Sequence, residues 1–215
     1  MNWIDRLERR WGRFCIPNLM AVILCGQAAV WAVTMFVNRN VYTLLTLTRA
    51  GLARGEIWRL VTFVFVPDTF SVFGFLLGLY MYWFIGSALE HEWGEFRFNL
   101  YYLLGMLGSI AAALLTGSCS NYCLNLSLFL AFAVLFPNVE LLLFFLIPVR
   151  VKWLGILAAA IWALSIVTGG SLGFAVQMLL GMLGFAVMFG GRLVSMVRAR
   201  IRREQWRRKN RSNWR

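Results

Sequence analysis

Side chains able to attack a carbonyl, carry a proton or hold a metal gather in two places along this chain. The first reads Gly-Ser-Cys-Ser-Asn-Tyr-Cys-Leu-Asn-Leu-Ser from Gly117 to Ser127 and offers hydroxyls, thiols and amides within eleven residues. Serine chemistry there needs a base within about 3 Å of the hydroxyl and donors for the oxyanion. The second place holds the one histidine, His91, with Glu92 and Glu95 nearby. One imidazole with two carboxylates in a tight turn is a poor ligand set, so a solvated turn is expected, with no metal and no cofactor. Cys15, Cys25, Cys119 and Cys123 show no zinc or redox spacing. Cys119 and Cys123, four apart, can share a helical face; they read as small apolar filler, with oxidation on the outer side as the alternative. Asn125-Leu126-Ser127 matches a glycosylation sequon but sits too deep to be modified.

The elements that must position these groups are membrane spans. Of 215 residues, 60% are hydrophobic and 14% charged, and mean hydropathy is +0.71. Soluble domains average about 25% charged, so the composition excludes a soluble enzyme and implies an integral, multi-pass, all-α protein with one compact helical domain. Six spans are expected: 14–37, 70–88, 98–116, a short one from about 124 to 137, 152–168 and 172–189. Residues 1–13 form a basic amphipathic lead-in, 14–190 the membrane domain, and 191–215 an Arg-rich tail.

Formal charge is +12, and with six spans 17 of the 21 basic residues fall on one side. The positive-inside rule places both termini in the cytosol, as in a bacterial inner membrane or its equivalent. From Gly190 onward only Glu204 opposes the basic residues, and Trp206 and Trp214 are interleaved. Anionic lipid headgroups are the expected partner, at about 1 kcal/mol per cation; RNA, including that of the ribosome, is the weaker alternative, because nothing in the tail reads bases.

One stretch organises the rest. From Leu124 to Val149 the chain is strongly apolar, yet Pro137, Asn138, Glu140 and Pro148 break it. At about 1.5 Å per residue one helix of that length would overshoot a hydrocarbon core of about 30 Å. A short, steep, central span ending near Pro137 is expected, then a segment at the interface. Asn121, Asn125 and Ser127 should face the bundle interior, since unpaired amides in lipid cost several kcal/mol. On the next-to-central helix, Gly105, Ser109 and Ala113, with Gly108 and Ala112 on the adjacent row, would let backbones approach. Residues 38–56 read as a loop partly embedded in the outer leaflet, closed by Trp58-Arg59, with Trp58 at headgroup level and Arg59 snorkelling to phosphate.

The run from Asn125 through Phe136-Pro137 to Ile147-Pro148-Val149-Arg150-Val151-Lys152-Trp153 resembles the fourth span and following loop of rhomboid-type membrane proteins. Trp58-Arg59 is similar to that family's first-loop pair. Leu89-Glu90 and Gly94 to Phe98, with Arg97, resemble its turn between the second and third spans. The resemblance implies a six-helix rhomboid-like bundle, with Glu90 tying helices together at the cytosolic end. Gln177, Gly181 and Gly184 resemble the last core span, where a histidine precedes glycines that allow close packing on the fourth. The family's Gly-x-Ser-Gly turn falls at Ser120-Asn121-Tyr122-Cys123, so Tyr122 stands at the serine position and Gln177 at the histidine position.

Without serine and base the resemblance implies a proteolytically inactive member, like the derlins. Such a protein binds transmembrane segments of client proteins in a cavity lined by Asn121, Tyr122, Asn125 and Gln177 and assists their quality control or trafficking. Two alternatives stand beside it: a divergent intramembrane serine protease using Ser120 or Ser127, and a scaffold acting through its polybasic tail.

Overall fold

The computed structural model describes residues 8–10, 12, 15–143, 147–169 and 172–190, with backbone alone for 142–143 and 147–148. Most of the amphipathic lead-in and the whole tail expected at 191–215 lie outside the described residues. Among the described residues the chain is mostly helical, and four helices are long and apolar enough to cross a membrane. These are α1 (Leu19–Phe36), α5 (Val72–Trp93), α6 (Glu95–Thr116) and α8 (Val151–Thr168). Between α1 and α5 come α2 (Asn40–Leu45), strand β1 (Leu47–Thr48), α3 (Arg49–Ala53), α4 (Arg59–Thr62) and a 3-10 turn, Phe63–Phe65. Strand β2 (Ser118–Cys119) leads into α7 (Tyr122–Leu135), and β3 (Glu140–Leu143) and β4 (Ile147–Arg150) lie between α7 and α8. The last two helices among the described residues are α9 (Leu172–Gly181) and α10 (Leu183–Gly190), bent by 52° against each other, as in a broken span or a re-entrant loop.

Helix boundaries depart from the sequence expectations for local reasons. Helix α5 runs five residues past Ala88 because polar side chains at a membrane edge keep their helical backbone bonds while meeting water. It stops at Gly94, whose φ of 82° suits glycine alone. His91 therefore sits on the last helical turn rather than in a turn after it. The interval 38–56 is not an open loop but holds two short helices and a strand. Helix α7 ends one residue before Phe136, whose φ of −118° and ψ of 57° avoid the helical region that a following proline disfavours. Beyond it the expected interfacial segment is a hairpin, with Glu140 paired to Arg150 and Leu141 to Val149.

Small residues set the packing. Helix α6 is the most buried of the long helices; Gly105, Gly108, Ser109, Ala112 and Ala113 all lie inside. A Cβ on Gly108 would overlap the Leu180 carbonyl oxygen of α9, so the two backbones touch there. Gly155 of α8 receives Ala133 of α7, and Gly86 of α5 receives Met20 of α1. At the end of the bundle where α5 turns into α6, Trp93 packs between Tyr101 and Phe189 with ring centroids 5.3 and 5.5 Å away.

Candidate functional site

Helix α7 has 14 residues, about 21 Å of rise, against 22 residues in each of its neighbours α5 and α6. Nine of its residues are buried, so it is central as well as short. Its first turn lies at the base of a pocket whose other walls come from distant segments. Strand β1 pairs antiparallel with β2, Leu47 opposite Cys119 and Thr48 opposite Ser118, and the Arg49 amide donates to the Gly117 carbonyl at 2.7 Å. That short ladder holds the first interhelical segment against the entry to α7.

Arg59 locks the same segment from beneath. It is 4% exposed, and its guanidinium donates to the Thr43 carbonyl at 2.7 Å, to the Thr46 carbonyl at 2.6 Å and to the Glu56 carboxylate. The expected snorkelling to phosphate is thereby corrected: backbone carbonyls and an acid left unpaired at the ends of α2 and α3 capture the guanidinium before lipid can. Gly51 lies against the Arg59 side chain, where a larger residue would not fit. Trp58 points outward, 52% exposed, as a headgroup-level tryptophan would.

The pocket encloses about 420 Å³ and is bordered by Tyr42, Asp68, Ser120, Asn121, Tyr122 and Gln177, among others. Tyr122 and Gln177 thus share one cavity, as does Asn121. Asn125 does not border it but stands one turn deeper, its amide donating to Asp68 Oδ2 at 2.7 Å. Tyr82 of α5 donates to the same oxygen at 3.2 Å. Partial desolvation pushes the pKa of Asp68 up, although the residue as a whole is exposed, against the lowering effect of those two hydrogen bonds.

Below the pocket floor the amides form a framework. Asn121 precedes α7 but does not cap it; its amide donates to the Val64 carbonyl at 2.9 Å, and Gln27 of α1 donates to that same oxygen at 3.0 Å. Tyr101 of α6 donates to Ser127 Oγ at 2.9 Å, and Ser127 donates to the Leu124 carbonyl at 2.7 Å. Asn121, Asn125 and Ser127 are all buried and face the interior, as their cost in lipid requires.

For hydrolytic chemistry the pocket provides Ser118 and Ser120 on its wall. Among the described residues neither hydroxyl is hydrogen-bonded to a carboxylate or an imidazole. His91 does not border the pocket; it lies nine residues along α5 from Tyr82, about 14 Å of rise beyond the residue that bonds Asp68. Cys119 also borders the pocket as a free thiol, and burial raises its pKa, the opposite of an activated nucleophile. Cys123 is likewise a free, buried thiol and packs under Gly181. No three His, Cys, Asp or Glu side chains converge among the described residues.

The remaining singled-out residues are structural. Glu90 Oε1 accepts from the Leu19 amide at 3.2 Å and so caps α1 from another helix, where Asn18 at φ 51° makes no side-chain cap of its own. Arg97 reaches Glu8 at 3.1 Å. Gly181 meets α7 at Cys123, but Gly184 does not: its neighbours are the Tyr101 carbonyl and Gly105 of α6, the helix that α9 also touches at Gly108. Sequence reasoning missed Asp68. Pro67-Asp68 reads as the boundary of a span, and the pairing with Asn125 and Tyr82 spans distances in sequence that no local pattern encodes. No protein-family model, curated protein or solved structure matches the chain.

Proposed function

We propose that the chain is a rhomboid-like, proteolytically inactive membrane protein that binds transmembrane segments of client proteins and assists their quality control or trafficking. In this reading α1, α5, α6, α7, α8 and the bent pair α9 and α10 are the six spans, both termini are cytosolic, and the Arg-rich tail lies on anionic lipid. The observation that carries it is the shared pocket of Tyr122 and Gln177, at the head of a short, enclosed helix. A carboxamide is not a base and a tyrosine is not an imidazole, so the pair can bind polar groups of a ligand but does not reproduce a serine–histidine dyad.

The protease alternative is weakened at both of its serines. Ser127 is fully buried and its hydroxyl is engaged by Tyr101 and the Leu124 carbonyl, while Ser120 is hydrogen-bonded to no carboxylate or imidazole among the described residues. Photo-crosslinking residues placed at Tyr122 and Gln177 in native membranes test the proposal. Capture of membrane proteins through their spans is expected; absence of any captured membrane protein at both positions would refute it. A fluorophosphonate probe that labels the purified chain, with labelling lost in Ser120→Ala, would replace it with the protease.

A further inference from the structure

A second cavity, of about 510 Å³, opens between α7, α8 and the bent pair α9 and α10, and neither Tyr122 nor Gln177 borders it. Its walls are apolar, among them Leu130 of α7, Ile156 and Ala159 of α8 and Phe185 of α10. Lys152 is the one charged residue on its border among the described residues, and no carboxylate pairs with it there; Glu140, the acid of the adjoining hairpin, is taken by Arg150. The Lys152 ammonium lies over the Trp153 ring, 5.4 Å from its centroid, and Trp153 is exposed, as a tryptophan at headgroup level is. Along α8 the cavity runs from Lys152 to Trp162, ten residues or about 15 Å of rise, which is half of a hydrocarbon core of about 30 Å. The groove is therefore one leaflet deep, with a cation at its wet end. A protein span needs walls through both leaflets, whereas an acyl chain needs one.

We propose that this groove is a binding site for one anionic phospholipid, its acyl chain lying between α8 and α10 and its phosphate held by Lys152. A zwitterionic lipid carries the same phosphate, but its own ammonium answers that charge, so the net-negative lipid gains more from the lysine. Helix α8 is the least buried of the four long helices, and its close contact is with α7, where Gly155 receives Ala133. A chain seated in the groove ties α8 to α10 as well. In the six-span arrangement Lys152 belongs to the cytosolic leaflet. The site is separate from the pocket of Tyr122 and Gln177 and does not depend on client binding.

The full chain in phosphatidylcholine nanodiscs, doped with a trace of phosphatidylglycerol or phosphatidylcholine that carries a diazirine midway along one acyl chain, provides the test. Labelled residues are mapped by peptide mass spectrometry, with Trp83, 52% exposed on α5, as the reference for ordinary lipid contact. Around Ala159 and Phe185 the phosphatidylglycerol probe is expected to label about fivefold more than the phosphatidylcholine probe, the worth of one lysine at the surface. Lys152→Gln should bring that ratio close to its value at Trp83. Equal labelling by the two probes in the groove of the wild-type chain would overturn the proposal without recourse to any variant. The same preference at Trp83 as in the groove would also overturn it, because the Arg-rich tail would then be enriching anionic lipid around the whole domain. An unchanged ratio in Lys152→Gln would remove the lysine from the site. Should that variant fail to fold, Ala159→Leu fills the groove instead, and groove labelling by both probes should fall; undiminished labelling would count against a seated chain. Exclusion of both probes from the groove, with a photo-crosslinker at Ala159 capturing a protein, would give the groove to a client span and refute the lipid. Crosslinking from Tyr122 and Gln177 is read separately, so client binding stands or falls on its own result.

Discussion

Val64 offers one carbonyl oxygen to two amides that are far apart in sequence, Gln27 on α1 and Asn121 at the head of α7. Removing either amide leaves part of a buried acceptor unmatched, at a cost of about 1–3 kcal/mol. Asn121→Ala should therefore lower stability by that amount, read from the unfolding midpoint in detergent, whereas a change within a few tenths of a kcal/mol would show the contact to be idle. Asp68 supplies a pH signature. Its folded pKa is raised by desolvation, so the folded chain holds this proton to a higher pH than the unfolded chain does. The contribution of Asp68 to stability is thus greatest below the ordinary carboxylate pKa, declines as pH rises through the raised folded value, and stays low above it. Unfolding midpoints across that range should show this decline in the wild type, and Asp68→Asn should flatten it; identical profiles would contradict the assignment.

Elements meet here through glycines and one buried arginine. Gly108→Ala sets a Cβ against the Leu180 backbone, which cannot move without shifting α9, whereas Gly78 has only Tyr82 at 4.0 Å. Gly108→Ala should cost about 1–3 kcal/mol from overpacking, while Gly78→Ala should be neutral or stabilise by about 0.5–1 kcal/mol through lost chain entropy. Comparable midpoints for the two variants would mean that α6 and α9 do not touch as described. Arg59→Ala removes three charge-assisted hydrogen bonds at once, leaving the Thr43 carbonyl with only the Thr46 hydroxyl and the Glu56 carboxylate with only Arg54 at 3.9 Å. A loss of about 3–5 kcal/mol is expected, with protease cutting between α1 and α5 appearing before global unfolding. By contrast the Glu140 to Arg150 pair at 3.4 Å is more than half exposed on both sides and is worth little.

At the scale of the whole molecule the membrane topology can be checked without a ligand. On a cysteine-free background, Arg54→Cys should react with an impermeant maleimide from the outer side of intact cells or spheroplasts. His91→Cys, exposed at the opposite end of α5, should react only after permeabilisation. Labelling of both from the same side would break the six-span arrangement. The fold that positions the pocket was partly legible from residue order, because apolar run length and small-residue spacing report on long helices and their contacts. That is why α6 and α8 lie within three residues of their expected limits, α1 and α5 within five, and why the row Gly105, Ser109 and Ala113 is buried. The interior placement of Asn121, Asn125 and Ser127 was legible for an energetic reason, the price of an amide in hydrocarbon.

Composition and residue spacing alone determined a polytopic helical membrane protein with a short, enclosed central helix, because burial in lipid penalises each polar backbone group and each charge one residue at a time. Tertiary structure alone decided the rest: the turn of Arg59 inward, the hairpin after α7, the seating of Gly184 on α6, and that of Asp68 beside Asn125 and Tyr82. Each of these depends on which unpaired donor finds which acceptor across the bundle, a competition between segments far apart in sequence that no local pattern records.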